Sequence, residues 1–135
     1  MSGIRRYQDI VAWQLAKEFH GEIAKLTENS ATAGRNFAFR DQLLDASSSV
    51  SKNICEGFLR GRPLVFANFL DYALGSLGEA EDWLSDGITR NYFRPENCAS
   101  AFKLARRCLT ATVRLKQSQI RYAKQQSSSR RRGPS

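Results

Sequence analysis

The side chains with the clearest capacity for chemistry are the cations in the last third of the chain. Six of them lie on or beside one face of a predicted helix: Lys103, Arg106, Arg107, Arg114, Arg121 and Lys124. Three of the arginines recur every seven residues, so in a helix they share a face. Such a row of cations can contact successive phosphates of a nucleic acid, and the pattern predicts polyanion binding. The alternative is a solvated outer face that only keeps the protein soluble.

The distribution of charge favours the binding interpretation. Up to Thr89 there are nine Lys and Arg against twelve Asp and Glu, a net charge of −3. From Arg90 onward there are twelve against one, a net charge of +11, which together give the +8 of the whole chain. This asymmetry points to polyanionic partners. Few aromatic residues interleave with the cations, so we expect contacts to phosphates rather than base stacking.

Other reactive residues do not form a catalytic or metal-binding pattern. Glu56 and Glu79 are a conceivable carboxylate pair, but ferritin-like metal sites need Glu-x-x-His motifs, and His20 is the only histidine. The cysteines are odd in number, lack metal-ligand spacing and are expected to be reduced core or boundary residues: Cys55, Cys98 and Cys108. We therefore expect no enzyme activity, no cofactor and no metal site.

Four helices must position these side chains, and apolar periodicity places them at about 9–28, 36–59, 63–89 and 95–124. Asp9 is the predicted N-cap of the first helix. The residues that follow this helix, from Asn29 to Gly34, are predicted to form a loop. Short connections predict an all-α, antiparallel up-and-down four-helix bundle spanning residues 1–126. Residues 127–135 are predicted to be a disordered basic tail.

The predicted fourth helix carries an apolar face that should meet the core. Its members recur at helical spacing: Phe102, Ala105, Leu109, Val113 and Ile120. The chain has no apolar run of the roughly 20 residues that span a bilayer. Its N-terminus lacks the apolar segment of a secretion signal. We therefore expect a cytoplasmic protein that does not associate with membranes.

A polar stripe borders the apolar face of the second predicted helix: Gln42, Ser49, Asn53 and Glu56. The third helix has a similar stripe: Tyr72, Ser76, Glu79 and Trp83. One interpretation is that these boundary positions are freely solvated. The other is a polar network between the second and third helices, or between subunits.

Four blocks of sequence carry a resemblance to a known family. Residues 53–58, Asn-Ile-Cys-Glu-Gly-Phe, resemble the Asn-Ile-Ala-Glu-Gly-aromatic signature of four-helix-bundle proteins related to those encoded in ribosomal RNA intervening sequences. Residues 9–14 and 69–79 resemble two further family blocks in order and spacing. A fourth block matches the family's approach to its signature: Gln42, Ala46, Ser49 and Val50. Asp45, Ser51 and Cys55 depart from the family pattern. The matching positions form the structural signature of the chain: Gln42, Ser49, Asn53, Glu56, Gly57, Ser76 and Glu79.

The resemblance implies a bundle that assembles as a ring-like homopentamer. The family includes the accessory variability determinants of diversity-generating retroelements, which are basic and bind nucleic acid and a reverse transcriptase. We therefore predict a non-enzymatic oligomer that binds RNA or DNA through its fourth helix, with a reverse transcriptase or another protein as a further partner. The alternative is a protein-interaction scaffold without nucleic-acid binding.

Overall fold

The structure, a computed structural model, describes residues 3–133. Four of its helices are long and match the four predicted helices, and two elements are short. In chain order the elements are a 3-10 turn at Tyr7–Asp9, α1 at Val11–Asn29, α2 at Ala31–Arg35, α3 at Phe37–Arg60, α4 at Pro63–Thr89 and α5 at Pro95–Arg132. Within residues 3–133 no strand occurs, and no helix combines the length and apolar character needed to cross a membrane.

The four long helices lie side by side, and each packs against two of the others. Both α1 and α4 pack against α3 and α5. Consecutive long helices are joined by short connections, as in antiparallel neighbours. The core between them is closed by fully buried side chains from every long helix, among them Phe19, Phe39, Leu43, Ile54, Leu70, Leu77 and Cys108. The predicted all-α, up-and-down four-helix bundle is confirmed.

The beginning of the bundle differs from the sequence prediction in two details. Asp9 belongs to the 3-10 turn, and the N-cap of α1 is Ile10, which offers no side-chain hydrogen bond. The predicted loop after α1 instead contains α2, because the Ser30 side chain accepts a hydrogen bond from the amide of Ala33. The prediction of Asp9 as N-cap was therefore wrong, whereas Ser30 caps α2 and Asn36 caps α3 through their side chains.

The close packing of α3 on α4 depends on Gly57. A Cβ atom added there would lie 2.6 Å from the Cβ of Phe69 and 2.8 Å from Cδ1 of Phe66. No other residue type fits without moving these phenylalanines. A few residues later, Gly61 ends α3 with a left-handed φ of 74°, and Pro63 opens α4. These residues fix where the two helices meet.

Aromatic residues close the opposite end of the bundle. Phe93 is buried and packs near Phe39, with ring centroids 6.0 Å apart. The hydroxyl of Tyr92 accepts a hydrogen bond from Nδ2 of Asn36 at 2.9 Å. Asn91 adopts a positive φ of 62°, which turns the chain into α5.

The last helix is longer than expected. The sequence pattern predicts an end near Lys124 and a disordered tail at residues 127–135, whereas α5 continues to Arg132 and ends at Gly133. Three arginines in its last turn complement the helix dipole. Ser127 and Arg130 also line a groove with Pro63 and Leu64, so the start of α4 lies beside these turns. Pro134 and Ser135 lie outside the described residues.

The core face of α5 is also not the one expected. Of the five predicted residues only Ala105 is fully buried, and Leu109 is 43% exposed. The side chains that meet the core are smaller or more polar: Cys98, Ala101, Leu104, Ala105, Cys108, Thr112 and Gln119. Thr112 can be buried because its hydroxyl donates a 2.7 Å hydrogen bond to the carbonyl of Cys108. Hydropathy alone therefore selected a neighbouring stripe, of which Phe102, Val113 and Ile120 are half-buried.

Candidate nucleic-acid interface

All six predicted phosphate-binding side chains are exposed on α5: Lys103, Arg106, Arg107, Arg114, Arg121 and Lys124. The row from Lys103 to Lys124 is about 32 Å long at 1.5 Å per residue. Because α5 continues to Arg132, three further arginines extend the same helix. The six predicted phosphate-binding side chains form a basic ridge along the exposed face of α5.

The cations of α5 divide into neutralised and free groups. On the side facing α4, Lys116 Nζ lies 2.6 Å from Oδ1 of Asp71. Burial raises the pKa of the Glu81 carboxyl, and the nearby charge of Arg106 opposes that rise. Within residues 3–133, the remaining ridge cations have no acidic partner within salt-bridge distance: Lys103, Arg107, Arg114, Arg121 and Lys124. Their charge is available to an external anion.

A groove of about 690 Å³ runs along the first half of the ridge, between α1 and α5. Its lining includes the apolar side chains of Val11, Leu15 and Phe102. Four ridge cations also line it: Lys103, Arg106, Arg107 and Arg114. A groove with an apolar lining and several cations can hold a phosphate backbone and cover part of its sugars.

The signature residues form a contact between α3 and α4. The hydroxyls of Ser49 and Ser76 are 2.9 Å apart, and Nδ2 of Asn53 donates to the carbonyl and hydroxyl of Ser49 at 2.9 and 3.0 Å. Ser49, Asn53 and Ser76 therefore form a polar network between helices, which is the second of the two interpretations of the polar stripes. All three side chains are half-buried, so the bonds are partly shielded from water.

The other polar members of the signature lie outside this network. Gln42, Glu56 and Glu79 are exposed. Oε1 of Glu56 accepts a 2.7 Å hydrogen bond from Arg60, one turn later in the same helix. Glu56 therefore lies outside the polar network in the single chain, and its hydrogen bond is exposed. The sequence pattern places Glu56 on the same stripe as Ser49. It does not show that Glu56 lies outside the contact between α3 and α4.

His20 has a polar partner that the sequence did not indicate. Its Nδ1 lies 2.7 Å from the hydroxyl of Ser47 on α3. Burial lowers the pKa of His20, and the charges of Lys17 and Lys52 lower it further. Spacing could not reveal this pair because its members are 27 residues apart on different helices.

The cysteines occupy core and boundary positions, as predicted. Cys98 and Cys108 are buried and Cys55 is half-buried, all as free thiols. Burial raises the pKa of Cys108 to about 11. Within the part of the chain that the structure describes, no group of three or more His, Cys, Asp and Glu side chains could hold a metal ion.

Comparison with known proteins assigns the family. The sequence profile of the 23S rRNA-intervening sequence protein family matches residues 8–126, and the chain belongs to that family. A crystal structure of a protein of unknown function from the S23 ribosomal protein family of Bacteroides thetaiotaomicron superposes with a TM-score of 0.72. The superposition covers 79% of this chain and 96% of that one at 23% sequence identity, a likeness of fold. No curated protein matches the chain.

Proposed function

We propose that this protein is a non-enzymatic oligomer that binds nucleic acid through the basic ridge of α5. The observation that carries the proposal is the division of charge on that helix. Lys116 is paired with Asp71 across the α4 interface. Five ridge cations on the exposed face have no acidic partner within residues 3–133: Lys103, Arg107, Arg114, Arg121 and Lys124. A row of free cations on an exposed helix face creates a positive potential that attracts a polyanion.

The ridge supports a particular kind of binding. Contacts from lysine and arginine to phosphates release counterions, so affinity falls steeply as salt rises and depends little on base sequence. A helix face of this kind serves RNA and DNA alike. The groove beside α1 adds apolar contacts from Val11, Leu15 and Phe102 to those made by the cations.

Assembly would multiply these contacts. Several large apolar side chains away from this groove are exposed on the single chain: Phe37, Leu59, Leu64 and Tyr72. Exposed apolar groups of this size support contacts between subunits. The family resemblance favours a homopentamer, in which repeated ridges would bind one polyanion more tightly by multivalency. Light scattering should give the mass of five chains, and a monomer mass at micromolar concentration would contradict this.

The proposal extends to the setting in which such an oligomer would work. A basic, sequence-tolerant binder is suited to a cytoplasmic accessory role in an RNA or reverse-transcription system, with a reverse transcriptase or another protein as partner. The family to which the chain belongs is named for proteins of 23S rRNA intervening sequences, which is compatible with an RNA partner.

A second candidate function is a protein-interaction scaffold that does not bind nucleic acid. The exposure of Tyr72 on α4 and Leu109 on α5 favours it, since both are large apolar side chains available to a protein partner. A filter-binding titration of labelled RNA and DNA over a salt series separates the two. Binding at low salt that weakens as salt rises supports the first function, and no binding at low salt leaves the scaffold.

A further inference from the structure

A second cavity lies at the end of the bundle where α3 meets α4. Its volume is about 330 Å³, within the roughly 300–1,000 Å³ range of small-ligand sites. Six of its lining residues have aromatic, amide or cationic side chains that bear on ligand binding: Phe58, Arg62, Phe66, Gln119, Tyr122 and Arg130. They come from the end of α3, the start of α4 and the late turns of α5.

Gln119 is the feature of this cavity that packing does not explain. The side chain is only 4% exposed, and its Nε2 is buried with no hydrogen-bond partner within residues 3–133. A buried donor without a partner destabilises the fold, and an apolar residue of similar size would avoid that cost. Because Gln119 lines the cavity, a rotation of its side chain would present this donor to a ligand that carries a hydrogen-bond acceptor.

The other lining residues define the chemistry of that ligand. Phe58 and Phe66 pack edge to face with ring centroids 6.1 Å apart, and the Tyr122 ring is 43% exposed. Aromatic side chains stack on unpaired nucleic-acid bases, whose edges offer acceptors to amide donors. Arg62 and Arg130 are exposed and have no acidic partner within the described part of the chain, which suits a phosphate.

We propose that this cavity receives one unstacked nucleotide of a single-stranded nucleic acid, an inference that rests on the proposed function. The base stacks beside Tyr122, Gln119 donates to an acceptor on the base edge, and Arg62 and Arg130 contact its phosphate. The cavity lies close to the ridge, because Tyr122 is on the same turn of α5 as Arg121, about 100° around the helix. A strand held along the ridge would pass partly around α5 to reach the cavity.

The test compares a labelled single-stranded oligouridine that spans α5 with an RNA duplex of the same length, by fluorescence anisotropy. The variants are Gln119→Leu and Tyr122→Ala, with Gln14→Leu as the control because Gln14 is exposed on α1 and lines neither this cavity nor the groove beside the ridge. We expect each cavity variant to lose about tenfold in affinity for the single strand, Tyr122→Ala through loss of a stacked base and Gln119→Leu through loss of a hydrogen bond. Duplex affinity should not change.

Thermal unfolding separates a binding role of Gln119 from a structural one. Gln119→Leu should unfold at a higher temperature than the wild type, because the unpartnered donor is gone. Higher stability with weaker single-strand binding supports the site. Tyr122→Ala keeps the test valid if Gln119→Leu misfolds, since Tyr122 is substantially exposed.

The outcomes distinguish this inference from the function on which it rests. Unchanged single-strand affinity in the folded variants would overturn the nucleotide site, while ridge-dependent binding to the duplex would still stand. A wild-type protein that binds neither nucleic acid at low salt would overturn both. Equal loss of duplex and single-strand affinity in Tyr122→Ala would also overturn the site, because it would show a general effect on α5.

Discussion

The hydroxyl groups of Ser49 on α3 and Ser76 on α4 lie 2.9 Å apart and join the two helices near their midpoints. Serine has poor helix propensity because its hydroxyl competes for backbone partners. In this bundle the hydroxyls are satisfied: Ser47 and Ser48 donate to carbonyls in the preceding turn, and Ser49 meets Ser76. The serine run of α3 is thus compatible with a helix that packs closely on its neighbour.

The first prediction concerns Asn53, which donates to the carbonyl and hydroxyl of Ser49. Asn53→Ala should lower the free energy of unfolding by about 1 kcal/mol, since it removes half-buried hydrogen bonds. Glu56→Ala should have an effect near zero, because Glu56 and its partner Arg60 are both exposed. Urea unfolding measures both. A Glu56→Ala loss as large as that of Asn53→Ala would indicate that Glu56 is buried in an assembly.

The second prediction concerns the close contact at Gly57. Gly57→Ala should destabilise the fold by about 1–3 kcal/mol, because the new methyl group would overlap Phe66 and Phe69. Gly75→Ala is the matched control, since nothing lies within 4 Å of a Cβ there. The control should stabilise the helix by roughly 0.5–1 kcal/mol. Thermal melts that shift in the same direction for both variants would contradict the packing of α3 on α4.

The third prediction is a pH dependence from His20, whose pKa is lowered in the folded protein by burial and by two nearby lysines. The unfolded chain then binds more protons than the folded one below the ordinary pKa of 6.5. This contribution to stability is full above that pH and falls with further acidification until the folded pKa is passed. The wild type should therefore lose more stability on acidification than His20→Gln. Equal losses in urea titrations would contradict it.

The fourth prediction concerns thiol reactivity. Cys55 is half-buried, whereas Cys98 and Cys108 are buried and burial raises the pKa of Cys108 to about 11. Iodoacetamide at about pH 8 should label Cys55 first and leave Cys108 protected until the protein unfolds, because only accessible thiolates react. Mass spectrometry of timed samples reads the order. Labelling of Cys108 as rapid as that of Cys55 would contradict the burial of α5 against the core.

The sequence predicted the helices well because apolar side chains recur with helical spacing, and because glycine and proline mark the breaks at Gly61, Pro63 and Pro95. It misplaced the core face of α5. That face is built from cysteines, Thr112 and Gln119, whereas Leu109 is turned outward. Hydropathy cannot distinguish these two faces of α5. The face that is buried depends on which side chains of α1 and α4 pack against α5.

The ridge and the second cavity were predictable to different degrees. Seven-residue spacing was enough to place Arg107, Arg114 and Arg121 on one exposed face. The neutralisation of Lys116 by Asp71 depends on how α4 and α5 align, which spacing within one helix does not report. The unpartnered amide of Gln119 is likewise visible only once three helices are assembled.

The most direct test of the central claim is a salt-dependent binding measurement on Arg107, Arg114 and Arg121 changed together to Gln. Its matched control changes Lys25, Arg35 and Lys52 to Gln, which alters the net charge equally with exposed cations that lie off α5. We predict that the ridge variant loses binding at low salt, while the control binds like the wild type with an unchanged salt slope. Helical content and oligomer mass should be the same in all three. A ridge variant that binds as tightly as the wild type would contradict the account.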